Sequence, residues 1–180
     1  MNIPNVLTIF RICLVPVIVA ALLIPFNGKE LVAFSLFLLA VLTDAFDGIL
    51  ARKKKQETVF GQLLDPIADK LLIASIFICM VELGAVPAWM VVIIIGREIA
   101  ITGFRAIASS KGIHIPASRL GKFKMTLETI VLCILILGEH YLGQFYISSQ
   151  IGLWVVIAVA LGSAAEYCIK FGPAVFSKHS

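Results

Sequence analysis

Asp44, Asp47, Asp65 and Asp69 crowd one short stretch of an otherwise oily chain: D-A-F-D-G-I-L-A-R, eight further residues, then G-Q-L-L-D-P-I-A-D. An ionisable side chain within a membrane segment costs roughly a few kcal/mol or more, so it marks a functional site by default. Four acids held together repel one another and call for positive charge between them. Two divalent cations would cancel them. Carboxylate oxygens are hard ligands that suit magnesium, manganese or calcium, and the absence of a nearby imidazole or thiolate disfavours zinc. Dications held in this way spread developing charge and orient nucleophile and leaving group in phosphoryl transfer. The spacing therefore predicts a metal-assisted phosphoryl-transfer centre.

The elements that must position these acids follow from composition. Of 180 residues, 60% are hydrophobic and only 14% charged, with a mean hydropathy of +1.02, which is more apolar than a soluble domain of this length requires. The chain reads as all-α, a polytopic bundle forming one transmembrane domain over 1–180. A bilayer-crossing helix needs about 20 apolar residues, and six runs qualify: 5–26, 31–51, 62–83, 88–109, 120–140 and 147–170. None alternates as a barrel strand would.

The first run has no basic leader or small-residue cleavage site, and Arg11 sits within it, so it is not expected to be a cleaved signal. Cys13, Cys79, Cys133 and Cys168 each fall in a span without metal-ligand spacing and read as packing residues. With the N-terminus inside, Arg11, Arg52, Lys53, Lys54, Lys55, Lys111, Arg119, Lys122, Lys124, Lys170 and Lys178 are cytoplasmic, against Lys29 alone outside. That bias predicts both termini in the cytosol and the acids at the cytosolic face of the cell membrane. The net charge of +4 is then accounted for by anionic lipid headgroups, without nucleic acid.

At about 100° per residue, Asp44, Asp47, Gly48 and Ala51 fall on one face of the second helix. Gly61, Asp65 and Asp69 repeat the arrangement on the third, and the short R-K-K-K-Q-E-T connection makes the two antiparallel neighbours. The small residues either pack helices or leave room for a bulky ligand against the backbone. Pro66 is expected to put Asp65 in the first turn of its helix, where the dipole favours a carboxylate.

The pattern D-x-x-D-G-x-x-A-R-x8-G-x-x-x-D-x-x-x-D, read from Asp44 to Asp69, resembles the signature of the CDP-alcohol phosphatidyltransferases, and every fixed position is present. The resemblance implies two Mg2+ or Mn2+ ions held by Asp44, Asp47, Asp65 and Asp69, with Asp69 also as the catalytic base. It implies a CDP-lipid site formed by Gly48, Ala51, Arg52 and Gly61, with Asn5 and Thr8 of the first helix as further contacts. An acceptor hydroxyl would attack the phosphorus next to the lipid, and CMP would leave.

The signature does not choose the acceptor alcohol. Arg105 of the fourth span, with Arg119, Lys122 and Lys124 of the fifth, would suit an acceptor carrying its own phosphate. Lys122 and Lys124 lie about 200° apart on a helix, so one of them faces the cavity, and the shared face of Ser118, Lys122 and Thr126 favours Lys122. Glu98 and Arg105, two turns apart, could instead pair with each other. Three segments, N-I-P-N-V-L-T-I-F-R, R-E-I-A-I-T-G-F-R and G-K-F-K-M-T, resemble the branch of the family that joins CDP-diacylglycerol to sn-glycerol 3-phosphate. Branches accepting inositol phosphate or phosphatidylglycerol are the alternatives, and a divalent-cation transporter is the alternative of another class. Acids gathered at one end of the spans, rather than at the midplane, speak against transport. Gly162, Ser163, Ala164 and Ala165 form a small-residue stripe for contact within the bundle or for the seam of a homodimer.

Overall fold

A computed structural model describes residues 3–54, 59–113, 115 and 119–176, with side chains described throughout except at 3–5, 45–54, 59–63, 65, 119, 122 and 174–176. The described residues form six α-helices and one short 3-10 turn, with no strand among them: α1 (Ile3–Leu23), α2 (Lys29–Lys54), α3 (Val59–Glu82), α4 (Ala88–Ser110), α5 (Arg119–Leu142) and α6 (Ile147–Phe176). Each apolar run of the sequence coincides with a helix. Two stretches, Val6–Leu23 and Phe123–Pro173, contain helix long and apolar enough to cross a bilayer.

Local chemistry sets the ends. Leu23 closes α1 just before the Ile24-Pro25 pair, where the proline disfavours helical geometry in its predecessor. At the end of α4, Gly112 adopts φ 73°, which lets Ile113 donate back to the carbonyl of Ala108 at 2.9 Å and satisfies an otherwise orphaned acceptor. Gly138 breaks α5 at φ 69° and ψ 176°, a region open in practice only to glycine, so the last turn departs from the helix axis. Pro66 does not open α3 as expected from the sequence. The helix begins at Val59, and the proline lies in its body. The backbone hydrogen bond lost there is the kind of break that membrane helices tolerate, because neighbouring groups satisfy the freed carbonyl.

α1 packs on α2 and α3, α2 and α3 both reach α5, and α6 closes the bundle against α4 and α5. One core cluster runs through most of the length, with Ile18, Phe37, Ile76, Phe77, Leu132 and Leu153 sealed from solvent. A smaller one joins α4 to α6 through Ile101, Ala108, Ile115 and Tyr167. The outer surface is also apolar: Ile78, Val92, Ile99, Trp154 and Ile169 are all exposed. A bundle apolar on both sides is suited to association with lipid. The small-residue stripe of α6 turns partly inward, since Ser163 is buried and Ala164 packs with the α4–α6 cluster.

Candidate active site

Arg11 is the centre of the site, and it was read from the sequence only as a cytosolic positive charge. It lies on α1 and is 1% exposed. Its Nη1 donates to Oδ1 of Asp69 at 2.7 Å and meets Oδ1 of Asp44 at 2.9 Å. One guanidinium thus ties α1, α2 and α3 together and draws an acid from each of the latter two to a common point. Thr8, one turn earlier on α1, is fully buried on the same side of the helix. The clue in the sequence was a lone cation inside an apolar run, which in a membrane turns toward the bundle interior to meet its countercharge.

Of the four predicted metal ligands, the structure brings together Asp44 and Asp69. The side chains of Asp47 and Asp65 lie outside the described residues, as do those of Asn5, Gly48, Ala51, Arg52, Gly61, Arg119 and Lys122, and Ser118 as a whole. Among the described residues no three acids, histidines or cysteines gather to hold a metal. The described pair has the right donors: two hard oxygens, one from α2 and one from α3, that already converge on one positive group of α1.

A cavity of about 560 Å³ adjoins Asp69. Its walls come from α3, α4, α5 and α6, and they are mainly apolar, with Ile73, Ala74, Ile94, Ile95 and Met125 among them. The polar lining consists of Asp69, Lys70, Arg97, Glu98, Thr102, Arg105 and Glu128, with Tyr167 beside them. A ligand with apolar chains and an anionic head matches that division.

The ion pairs of the cavity wall differ from those the sequence suggested. Lys124, placed with the acceptor's phosphate from the sequence, is fully buried, and its ammonium contacts Glu98 at 2.5 Å and Glu128 at 2.7 Å. Helix phase explains this: of the two lysines about 200° apart, Lys124 is described pointing into the bundle. Glu98 also receives Nη1 of Arg97 at 2.5 Å. Arg97 reaches α6 as well, donating Nε to the carbonyl of Ala160 at 3.2 Å and Nη2 to Ser163 Oγ. Glu98 is therefore engaged by Arg97 and Lys124, and Arg105 donates instead to the carbonyl of Ile115 at 3.3 Å. Lys70 donates to Thr102 Oγ1 on α4.

An all-helical bundle with Asp69, one of a converging acid pair, lining an apolar cavity suits a lipid-modifying transferase, and comparison with known proteins agrees. A model of the CDP-alcohol phosphatidyltransferase family matches residues 1–162, and the chain belongs to that family. The CDP-diacylglycerol–glycerol-3-phosphate 3-phosphatidyltransferase of Bacillus subtilis is 37% identical over 94% of this chain and 94% of its own. That of Rickettsia felis is 38% identical, covering 94% and 97%. A probable phosphatidylglycerophosphate synthase of Mycobacterium tuberculosis is 34% identical, covering 94% and 81%.

Proposed function

We propose that this chain moves the phosphatidyl group of CDP-diacylglycerol onto sn-glycerol 3-phosphate, giving phosphatidylglycerophosphate and CMP. The observation that carries the reading is the meeting of Asp44 and Asp69 on Arg11, beside an apolar cavity with charged groups along one wall. Near full-length similarity to relatives named for this reaction supports the choice of acceptor.

In this reading two Mg2+ or Mn2+ ions are held by Asp44, Asp47, Asp65 and Asp69. Bound there, they supply positive charge that stabilises the oxygens of the phosphorus undergoing substitution. The chain's own residues do the rest. Asp69 takes the proton of the acceptor hydroxyl on a carboxylate oxygen. That hydroxyl oxygen forms its bond to the phosphorus carrying diacylglycerol while the bond from this phosphorus to CMP breaks. Asn5, Thr8, Gly48, Ala51, Arg52 and Gly61 cradle the CDP-lipid, and Arg105, Arg119 and Lys122 receive the acceptor's phosphate. Arg11 holds Asp44 and Asp69 at a fixed spacing, so little reorganisation is required when the substrates arrive.

The same reading sets the protein as one domain crossing the cell membrane six times, with both termini and the site on the cytosolic side, where sn-glycerol 3-phosphate is dissolved. Gly162 and Ala165, which the bundle leaves exposed, would form the seam of a homodimer.

The test is an acceptor competition. Membranes containing the protein receive CDP-diacylglycerol and, in turn, radiolabelled glycerol phosphate, inositol phosphate or phosphatidylglycerol. Label should enter lipid from glycerol phosphate, with CMP released and a requirement for divalent metal. Label entering from inositol phosphate alone would overturn the acceptor, and metal flux into liposomes without CMP release would overturn the enzyme.

A further inference from the structure

The charged wall of the cavity does not balance evenly along its length. Glu98 and Glu128 are matched by Arg97 and Lys124, all within contacts of 2.5 to 2.7 Å. Those four groups neutralise one another and offer a ligand little net charge. Two other cations line the same cavity, Lys70 and Arg105. Among the described residues neither is in salt-bridge contact with a carboxylate, though Glu98 is near enough to act on Lys70: Arg105 donates to the carbonyl of Ile115, and Lys70 to the hydroxyl of Thr102.

The Thr102 contact is oriented. Its hydroxyl donates to the backbone carbonyl of Glu98 at 2.7 Å, as a helical threonine commonly does, and so turns a lone pair outward to the ammonium of Lys70. Lys70 on α3 is thereby drawn to α4, on the turn of that helix that precedes Arg105. A lysine held by a neutral hydroxyl has two further N–H donors for an anion. Lys70 also follows Asp69 directly in the chain, and both line the cavity.

Resting on the transfer reaction proposed above, we infer that Lys70 is a specificity-determining residue that, with Arg105, binds the phosphate of the acceptor. The role deepens that reading by adding a cation to those that the sequence assigned to the acceptor; from sequence Lys70 reads as balancing the neighbouring acids or facing lipid headgroups. A phosphate gripped on the α3–α4 side leaves the hydroxyl end of a three-carbon acceptor to extend toward Asp69. Thr102 is the positioning residue that keeps the ammonium aimed at that spot. The same pair of cations would also fit the phosphate of an anionic lipid headgroup, and the experiment separates the two sources.

Steady-state kinetics of the purified full chain in mixed micelles, with and without anionic phospholipid, provide the test, using Lys70→Gln and Lys70→Arg beside the wild type. Loss of a charge-assisted hydrogen bond should raise KM for sn-glycerol 3-phosphate about 10- to 100-fold. KM for CDP-diacylglycerol should stay within about threefold, and Lys70→Arg should recover most of the acceptor affinity. The increase should be the same at every content of anionic lipid. An unchanged acceptor KM in Lys70→Gln would overturn the inference. So would an effect that appears only as a changed response to anionic lipid, which would assign the pair to a headgroup. Equal losses toward both substrates would mark a structural defect and count against it too. Wild-type protein that ignores glycerol phosphate would remove the acceptor reading itself, a distinct failure visible before any variant is made.

Discussion

Replacing Lys124 by methionine removes the one ammonium that two acids share. Lys124 is fully buried, Glu128 is 4% exposed and Glu98 24%. After the change Glu98 keeps Arg97, but Glu128 loses its described counterion in a site closed to water. Removing one member of a buried pair costs about 3–5 kcal/mol, because the partner's charge stays behind without compensation. For a chain of this length each kcal/mol shifts Tm by about 2–4 °C, so a drop of roughly 10 °C is expected in detergent micelles. The double variant Lys124→Met with Glu128→Leu removes both charges, leaves Arg97 and Glu98 matched, and should regain at least half of the loss. Thermal unfolding followed by intrinsic fluorescence of wild type, Lys124→Met, Glu128→Leu and the double variant closes a double-mutant cycle. The acceptor KM of the surviving Lys124→Met enzyme should lie within about threefold of wild type, since this ammonium is already engaged. A Tm within 2 °C of wild type, or a double variant no better than the single, would refute the buried-network argument.

Asp69→Asn should lower kcat by about 10²- to 10⁴-fold, the usual contribution of a positioned general base, while binding of CDP-diacylglycerol, measured by calorimetry, persists. Lost lipid binding would instead make Asp69 chiefly a metal ligand. Gly152→Ala should destabilise the bundle by about 1–3 kcal/mol through overpacking, because a β-carbon at Gly152 would fall 2.6 Å from Cγ2 of Val131. Adding Val131→Ala should restore part of the Tm.

Much of this architecture was legible in the chain, for physical reasons. Uninterrupted apolar runs bounded by Pro25, Gly84, Gly112 and Gly143 leave few options besides six helices, and the helices observed match those runs closely. The approach of Asp44 and Asp69 agrees with helix phase, but it is made through Arg11 of α1, which packs on both α2 and α3. What periodicity could not supply was the partner of each charge. Arg11 looked like one more cytosolic cation until three-helix packing put it between two acids. Lys122 and Lys124 differ by two positions, so phase alone showed that they face different ways but left the inward one to be found from the burial of Lys124 and its contacts with Glu98 and Glu128. Pro66 misled because proline favours the first turn of a helix but also sits in a helix body where neighbouring groups satisfy the freed carbonyl.

The Arg11 junction also bears on how the protein comes into being. Its three members, Arg11, Asp44 and Asp69, come from three separate helices, and no two of them can assemble the grouping alone. A half-built bundle in the bilayer thus holds scattered, mutually indifferent charges and no chemistry. The grouping exists only when α1, α2 and α3 have all packed together.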